Sequence, residues 1–314
     1  APSARPGAAA RRAVVKCRRL TSRHEPSHPD MTITLRLMGG LGNQMFQYAM
    51  GRALARRLGQ TVQIDLSFLR DDTPRPGVTR RAYALDVFGC RPDLVQLSAE
   101  AIAQQPLLKE RGVGFDEAFD ARLGVALRRG PVYLSGYWQN ERYFDEVAAP
   151  LRADFVVTER CAEADDLIAD MRARPSLCVH VRRGDYASQP VTQRHHGLAS
   201  MAYYQAAAEA VAQREAGLRA FVFSDDIDWC RAQLRLPVPA VYVGAHLGGR
   251  HDALHLKLMS HCRHFVIANS SFSWWAAWLG ERGGTQVLAP AVWLAGPGLP
   301  ATAVIPPRWQ PVAA

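Results

Sequence analysis

The second half of the chain alternates short apolar runs with helical stretches, and that alternation limits the fold more than any other feature. The runs "LCVHV", "AFVFS", "AVYV", "HFVIA" and "TQVLAP" fall between residues 177 and 290. Between them, residues 200–215, 227–234, 252–262 and 272–280 carry apolar side chains at helical spacing. Short continuous apolar runs alternating with helices predict a parallel sheet covered on both faces. The first half opens the same way: "TITLRL" reads as a strand, "GGLGNQ" as a turn, and residues 45–58 as a helix. "TVQIDL" and "VYLSGYW" are further strands, and "ERYFDEVAAPLRADF" reads as helical. Residues 70–130, with Pro and Gly breaks and mixed charge, predict loops and short helices.

The expected class is therefore α/β, divided near residues 150–175. Residues 31–165 would form one Rossmann-like domain and 166–314 a second, with residues 1–30 a disordered basic extension. That extension holds seven Arg and Lys against Glu25 and Asp30, so +5 of the formal +9 charge sits in it. The high pI follows largely from it, and a nucleic-acid partner is not expected. The extension has no apolar core of a secretory signal; a targeting role is the alternative to simple disorder. The six cysteines are scattered without a Cys-x-x-Cys pair, which predicts buried free thiols in a reducing compartment. No window is apolar enough to span a membrane.

Ligands on parallel sheets bind at the carboxyl ends of strands, so the residues closing each strand carry the chemistry. "LCVHVRRGDY" ends a strand on two arginines. Side chains alternate faces along a strand, so His180 and Arg182 share one side and Arg183 takes the other. Arg182 is then placed to meet a phosphate, since a guanidinium presents a planar fork to phosphate oxygens. Arg183 would brace the loop through Asp185. A surface ion pair is the plainer alternative.

"FVFSDDID" ends a strand in carboxylates. Asp226 and Asp228 could hold a divalent ion, or Ser224 or Asp225 could cap the following helix while contacting a ligand. "HFVIANSSFSWWAAWLG" ends a strand at Asn269, Ser270, Ser271 and Ser273, where hydroxyls and a helix N-terminus suit an anion. Its Trp274, Trp275 and Trp278 have the spacing of a buried helix, with a sugar platform as the alternative. "MGGLGNQMFQYA" places Gly40 and Gly42 before a helix. It fits neither the dinucleotide fingerprint nor the P-loop, and leaves open an anion-friendly turn or a tight β–α turn. His251, His255, His261, His264 and Cys262 could suggest zinc, but they fit an amphipathic helix better.

Taken in order, "GGLGNQMFQYA", "LSGYWQNERYF", "HVRRGDY", "FSDD" and "IANSSFSWWAAWL" resemble the alpha-1,2-fucosyltransferases of glycosyltransferase family 11, from about Met31 to Trp293. The resemblance implies a GT-B fold, two Rossmann-like domains facing across a cleft. It implies inverting transfer of L-fucose from GDP-L-fucose to the 2-hydroxyl of a terminal galactoside, on an oligosaccharide or glycolipid, with no metal or other cofactor required. It assigns Arg182 and Asn43 as catalytic. It assigns Gly40, Gly42, His180, Arg183, Asp185, Asp225, Asp226, Asn269, Ser270, Ser271 and Ser273 to donor binding. An acidic residue is expected near the position of His255, and Asp252 could stand in for it. The alternatives are a related nucleotide-sugar transferase of different linkage and a non-catalytic nucleotide-sugar or carbohydrate-binding protein. A cytoplasmic location is expected, and peripheral contact with the inner face of a membrane stays open.

Overall fold

A computed structural model describes residues 32–74, 79–184 and 190–313, apart from the side chains of residues 191 and 192. The basic extension and Asp185 lie outside the described residues. Two parallel sheets carry the architecture. The first contains β1 (Ile33–Arg36), β2 (Val62–Asp65), β3 (Asp93–Val95), β4 (Leu107–Lys109) and β5 (Val132–Ser135), in the order β3-β2-β1-β5-β4. The second contains β6 (Ser176–Val181), β7 (Arg219–Ser224), β8 (Ala240–Tyr242), β9 (His264–Val266), β10 (Val287–Pro290) and β13 (Gln310–Val312), in the order β13-β10-β9-β6-β7-β8. Every pairing in both is parallel. Between β10 and β13, β11 (Val292–Leu294) and β12 (Leu299–Pro300) form a small antiparallel pair. Two parallel α/β sheets facing across a cleft are the GT-B arrangement.

The sequence signals that hold are those of central strands. All six residues of β6 are buried, as a strand covered on both faces must be. Three signals fail. The 70–130 region contains the edge strands β3 and β4, not only loops and helices. Each is three residues long and leaves Leu94 or Leu107 exposed, too little burial to leave a pattern. Residues 141–155 are not one helix: two 3-10 turns precede a helix at Ala148–Asp154, with Pro150 in its first turn, where a missing N–H costs nothing. The edge strand β13 escaped notice because it contains Pro311, tolerated there since one side of an edge is unpaired.

The helix after β1, α1 (Leu41–Leu58), packs on α2 (Ser271–Gly280), which follows β9. Their interface is aromatic. Phe46 lies 4.6 Å from Trp274 and 4.9 Å from Trp275, and Phe144 stacks on Trp275 at 5.3 Å. The three tryptophans of α2 are core residues with at most 2% exposure. One apolar cluster thus runs from the first sheet into the second. Cys90, Cys161, Cys178, Cys230 and Cys262 are free thiols, and Cys17 lies outside the described residues.

Candidate active site

Chain order reverses in both sheets at a central strand. In the second sheet β7 and β8 extend from one side of β6, and β9 and β10 from the other. In the first, β2 and β5 flank β1. Connections leaving such a point diverge and open a crevice at the carboxyl ends. The two crevices face each other and form one cleft of about 1280 Å³.

On the second-sheet side the residues are charged. Arg182, just past β6, lines the cleft, and its guanidinium meets Asp225 Oδ2 at 2.8 Å. Arg183 turns away: it lies over the Trp229 ring at 3.7 Å and donates to Asp226 Oδ2 at 3.2 Å. Strand alternation therefore separates the two guanidinia, and Arg183 does not line the cleft as a donor contact would require. Its backbone N–H donates to Asp225 Oδ1 at 2.8 Å. Gly184 makes this pairing feasible, because a Cβ there would come within 2.4 Å of Asp225 Oδ2. Asp226, rather than Ser224 or Asp225, caps the next helix (Ile227–Gln233) by accepting from Trp229 N–H. Both Asp225 and Asp226 border the cleft.

His180 is 6% exposed and faces the cleft, with its Nδ1 buried and unpartnered. Burial, then the Arg182 charge, pushes its pKa down to about 3, so the ring is neutral at physiological pH. His255 also borders the cleft. Its Nε2–H donates to Gly244 O at 3.1 Å, since a carbonyl only accepts, and burial keeps the ring below its usual pKa. Asp252 borders the same wall. Among the described residues no three His, Cys, Asp or Glu side chains gather at one point.

Ser270 and Ser271 line the cleft at the N-terminus of α2, and no side-chain cap occupies that end. Asn269 and Ser273 depart from the expectation. Asn269 donates to His196 O and Trp293 O, and Ser273 is fully buried on Ala268 O and Ser270 O. Neither lines the cleft; both hold the loop that presents the two serines.

The first-sheet side is built from amides. Gly39 has φ +79, and a Cβ there would meet Asn43 Nδ2 at 2.5 Å, so the left-handed turn and the seat of Asn43 both need glycine. Gly40 and Gly42 line the cleft with Asn43. Gly42 has a second reason to lack a side chain: its Cβ would fall 2.5 Å from Phe272 N and 2.6 Å from Ser271 C. Its carbonyl accepts from Trp275 Nε1 at 3.0 Å. Gln44 and Gln47 are wholly buried. Gln44 donates to Gly39 O and Ala82 O and accepts from Ala84 N–H, while Gln47 accepts from Met38 N–H and donates to Gly136 O. These amides fasten the 79–84 loop and the turn after β5 around the turn that carries Asn43.

Gln139 donates to Asn43 Oδ1 at 2.7 Å. The turn that brings it there holds Trp138 at φ +56, a strained value for a bulky residue. Glu110 secures it by accepting from the N–H groups of Tyr137 and Trp138 at 2.7 and 3.0 Å. Burial drives the Glu110 carboxyl up to about 7, against the pull of those two bonds. Gln44, Gln47, Gln139 and Glu110 were missed from sequence. The only signal was three amides in five residues of "NQMFQ", too common alone to single out. Phe68, Asp71, Arg81 and Tyr137 complete this wall.

The paired parallel sheets and the cleft between them fit the GT-B class, and comparison with known proteins fixes the family. The model for glycosyl transferase family 11 matches residues 110–310. An alpha-1,2-colitosyltransferase of Escherichia coli is 32% identical over 88% of this chain and 97% of its own. A galactoside 2-alpha-L-fucosyltransferase of Bos taurus is 28% identical over 85% of this chain and 68% of its own. Among solved structures, a mutant of Arabidopsis thaliana FUT1 in complex with GDP aligns at a TM-score of 0.49 and 12% identity, over 84% of this chain and 71% of that one. The chain belongs to glycosyl transferase family 11, and it is a glycosyltransferase of the fucosyltransferase type.

Proposed function

We propose that the chain transfers L-fucose from GDP-L-fucose to the 2-hydroxyl of a terminal galactoside, with inversion and without a required metal ion. The observation that carries this reading is Arg182 at the end of β6, facing Asn43 across one cleft. As the bond from fucose C1 to the β-phosphate oxygen breaks, its electron pair stays on that oxygen. A fixed guanidinium and the uncapped first-turn N–H groups of α2 suit a charge developing there. The fucosyl ring becomes oxocarbenium-like, and the acceptor hydroxyl attacks the opposite face, its proton passing to solvent as the new C–O bond forms. Asn43, held by Gln139, can then orient the sugar or the acceptor. Asp226 is engaged by the helix cap and by Arg183, and Asp225 by Arg182. Of the candidate metal pair, Asp226 is thus already paired with Arg183, while Asp228 lies exposed, 3.5 Å from Arg231.

The colitosyl relative supports a second reading for the donor sugar alone. Colitose is fucose lacking the 3-hydroxyl, and the two relatives' names give an alpha-1,2 and a 2-alpha transfer. A competition assay decides between them: GDP-L-fucose against nucleotide-activated colitose, with galactose-terminated disaccharides, in EDTA. Preferred fucosyl transfer, with an α-1,2 linkage in the product NMR spectrum, is expected. Preferred colitosyl transfer would move the donor assignment. Transfer of neither sugar, or transfer only after a divalent cation is restored, would overturn the corresponding part of the proposal.

A further inference from the structure

A second concave site lies at the opposite end of the second sheet from the cleft. There the chain enters β6 through Arg174 and Pro175 and β9 through Arg263, and α2 ends at Gly280. The cavity measures about 870 Å³, within the range of small-molecule sites. Its lining gathers Arg152, Arg172, Arg174, Arg263, Arg282 and His261 against two carboxylates, Glu215 and Glu281.

One of those carboxylates, Glu281, is already engaged. Glu281 accepts from Arg308 at 2.7 and 2.8 Å and from Trp309 Nε1 at 3.1 Å. Glu215 lies 3.4 Å from His264 Nε2. Of the arginines, Arg174 pairs with Asp170 at 3.1 Å. Arg152 lies over Trp278 and donates to Leu279 O, and Arg282 donates to Gly280 O. Capping the C-terminus of α2 explains one N–H of each and leaves the rest of each fork. Arg172 and Arg263 have no ion pair with any described residue.

The charges push on one another. Burial, then Arg263 and Arg172, holds Arg282 below the usual guanidinium range. His261 gives its Nδ1–H to Lys257 O at 2.8 Å, and burial, with the charges of Arg172, Lys257 and Arg282, lowers its pKa against the pull of that bond, so the ring is neutral at physiological pH. Like charges gathered in a concavity disfavour each other, and an anion bound among them would offset that cost. Guanidinium forks match phosphate oxygens bidentately, and an apolar ligand has little to gain in a pocket lined this way.

We infer that this arginine pocket is a second binding site, separate from the transfer cleft, for a phosphate-bearing anion, supplied by a lipid headgroup or by a soluble phosphate compound. The test uses the full chain, the Arg182→Ala variant and the Arg172→Gln/Arg263→Gln variant. Calorimetry with inorganic pyrophosphate reads the soluble source, and flotation with phosphatidylcholine vesicles containing phosphatidylglycerol reads the lipid one. Pyrophosphate binding that survives Arg182→Ala and weakens at least about tenfold in Arg172→Gln/Arg263→Gln is expected. Flotation lost in the double variant alone would equally support the site and assign it to lipid. Should the double variant fail to fold, Arg172→Gln alone, an exposed helix residue, is read in its place and should weaken binding at least about threefold. The inference is overturned if the wild type binds neither probe, or if binding to both is unchanged by the arginine substitutions. It is overturned too if the pyrophosphate signal disappears with Arg182→Ala alone and no substitution-sensitive flotation remains.

Discussion

The two walls of the cleft are made of different chemistry. The wall past β6 and β7 is ionic, with Arg182 on Asp225 and Arg183 on Asp226 within a few residues of one another. The wall past β1 and β5 is almost uncharged at its base, where Gln44, Gln47 and Gln139 tie loops to the turn that carries Asn43. One wall has charge aimed at a ligand. The base of the other has geometry, held by buried amides whose loss leaves polar backbone groups unsatisfied, with Asp71 and Arg81 lining the same side. The contrast implies that changes to the ionic groups that line the cleft alter the rate, whereas changes to the groups behind either wall alter stability first.

The sharpest test is Arg182→Ala. Transfer should fall on the order of 10²-fold or more, with an unchanged melting curve; near-normal kcat would break the comparison on its ionic side. Gln44→Leu tests the other wall. It strands Ala84 N–H and two carbonyls, so a loss of about 1–3 kcal/mol is expected in denaturant unfolding. If the protein stayed as stable while kcat alone collapsed, the amide wall would have to be assigned to catalysis. Arg183→Ala separates neighbours on one strand. Losing the Trp229 contact and a half-exposed ion pair should cost about 1 kcal/mol, with kcat/KM within a few-fold of wild type. An activity loss as large as that of Arg182→Ala would refute the division between them.

A further test concerns pH. In the unfolded chain Glu110 ionises near its ordinary value of 4.5, whereas the folded protein holds the proton to about 7. The unfolded state therefore releases its proton first, and stability contributed by the protonated group falls as pH rises through that window. Melting temperature measured across it should slope downward in the wild type and flatten in Glu110→Gln; equal slopes would show that another group governs the turn.

The same contrast explains what the sequence made legible. Charge at the end of an apolar strand is conspicuous, so Arg182, Asp225 and Asp226 could be singled out, and they do line the cleft, while strand alternation told Arg182 from Arg183. Ser270 and Ser271 stood out as hydroxyls where an apolar run meets a helix N-terminus, and both line the cleft. Asn269 and Ser273, adjacent in the same motif, were grouped with them because sequence does not show which polar side chain turns inward to hold a loop. Gln139 and Glu110 lie far in sequence from the residues they position. Their contribution exists only once β4, β5 and α1 are assembled. The edge strands β3 and β4 were invisible because exposed three-residue strands have no hydrophobic signature.

The absent side chain at Gly42 has a mechanical consequence. It lets the first turn of α1 touch the first turn of α2, where a Trp275–Gly42 bond and an unbroken run of aromatic rings join the two sheets. The joint lies at the floor of the cleft, like the spine of a book. Parting the halves there would expose Phe46, Phe144 and three tryptophans to water, at a cost of several kcal/mol by area alone. Any opening of the cleft must therefore leave this joint intact, and the floor keeps Asn43 and Ser271 at a fixed spacing.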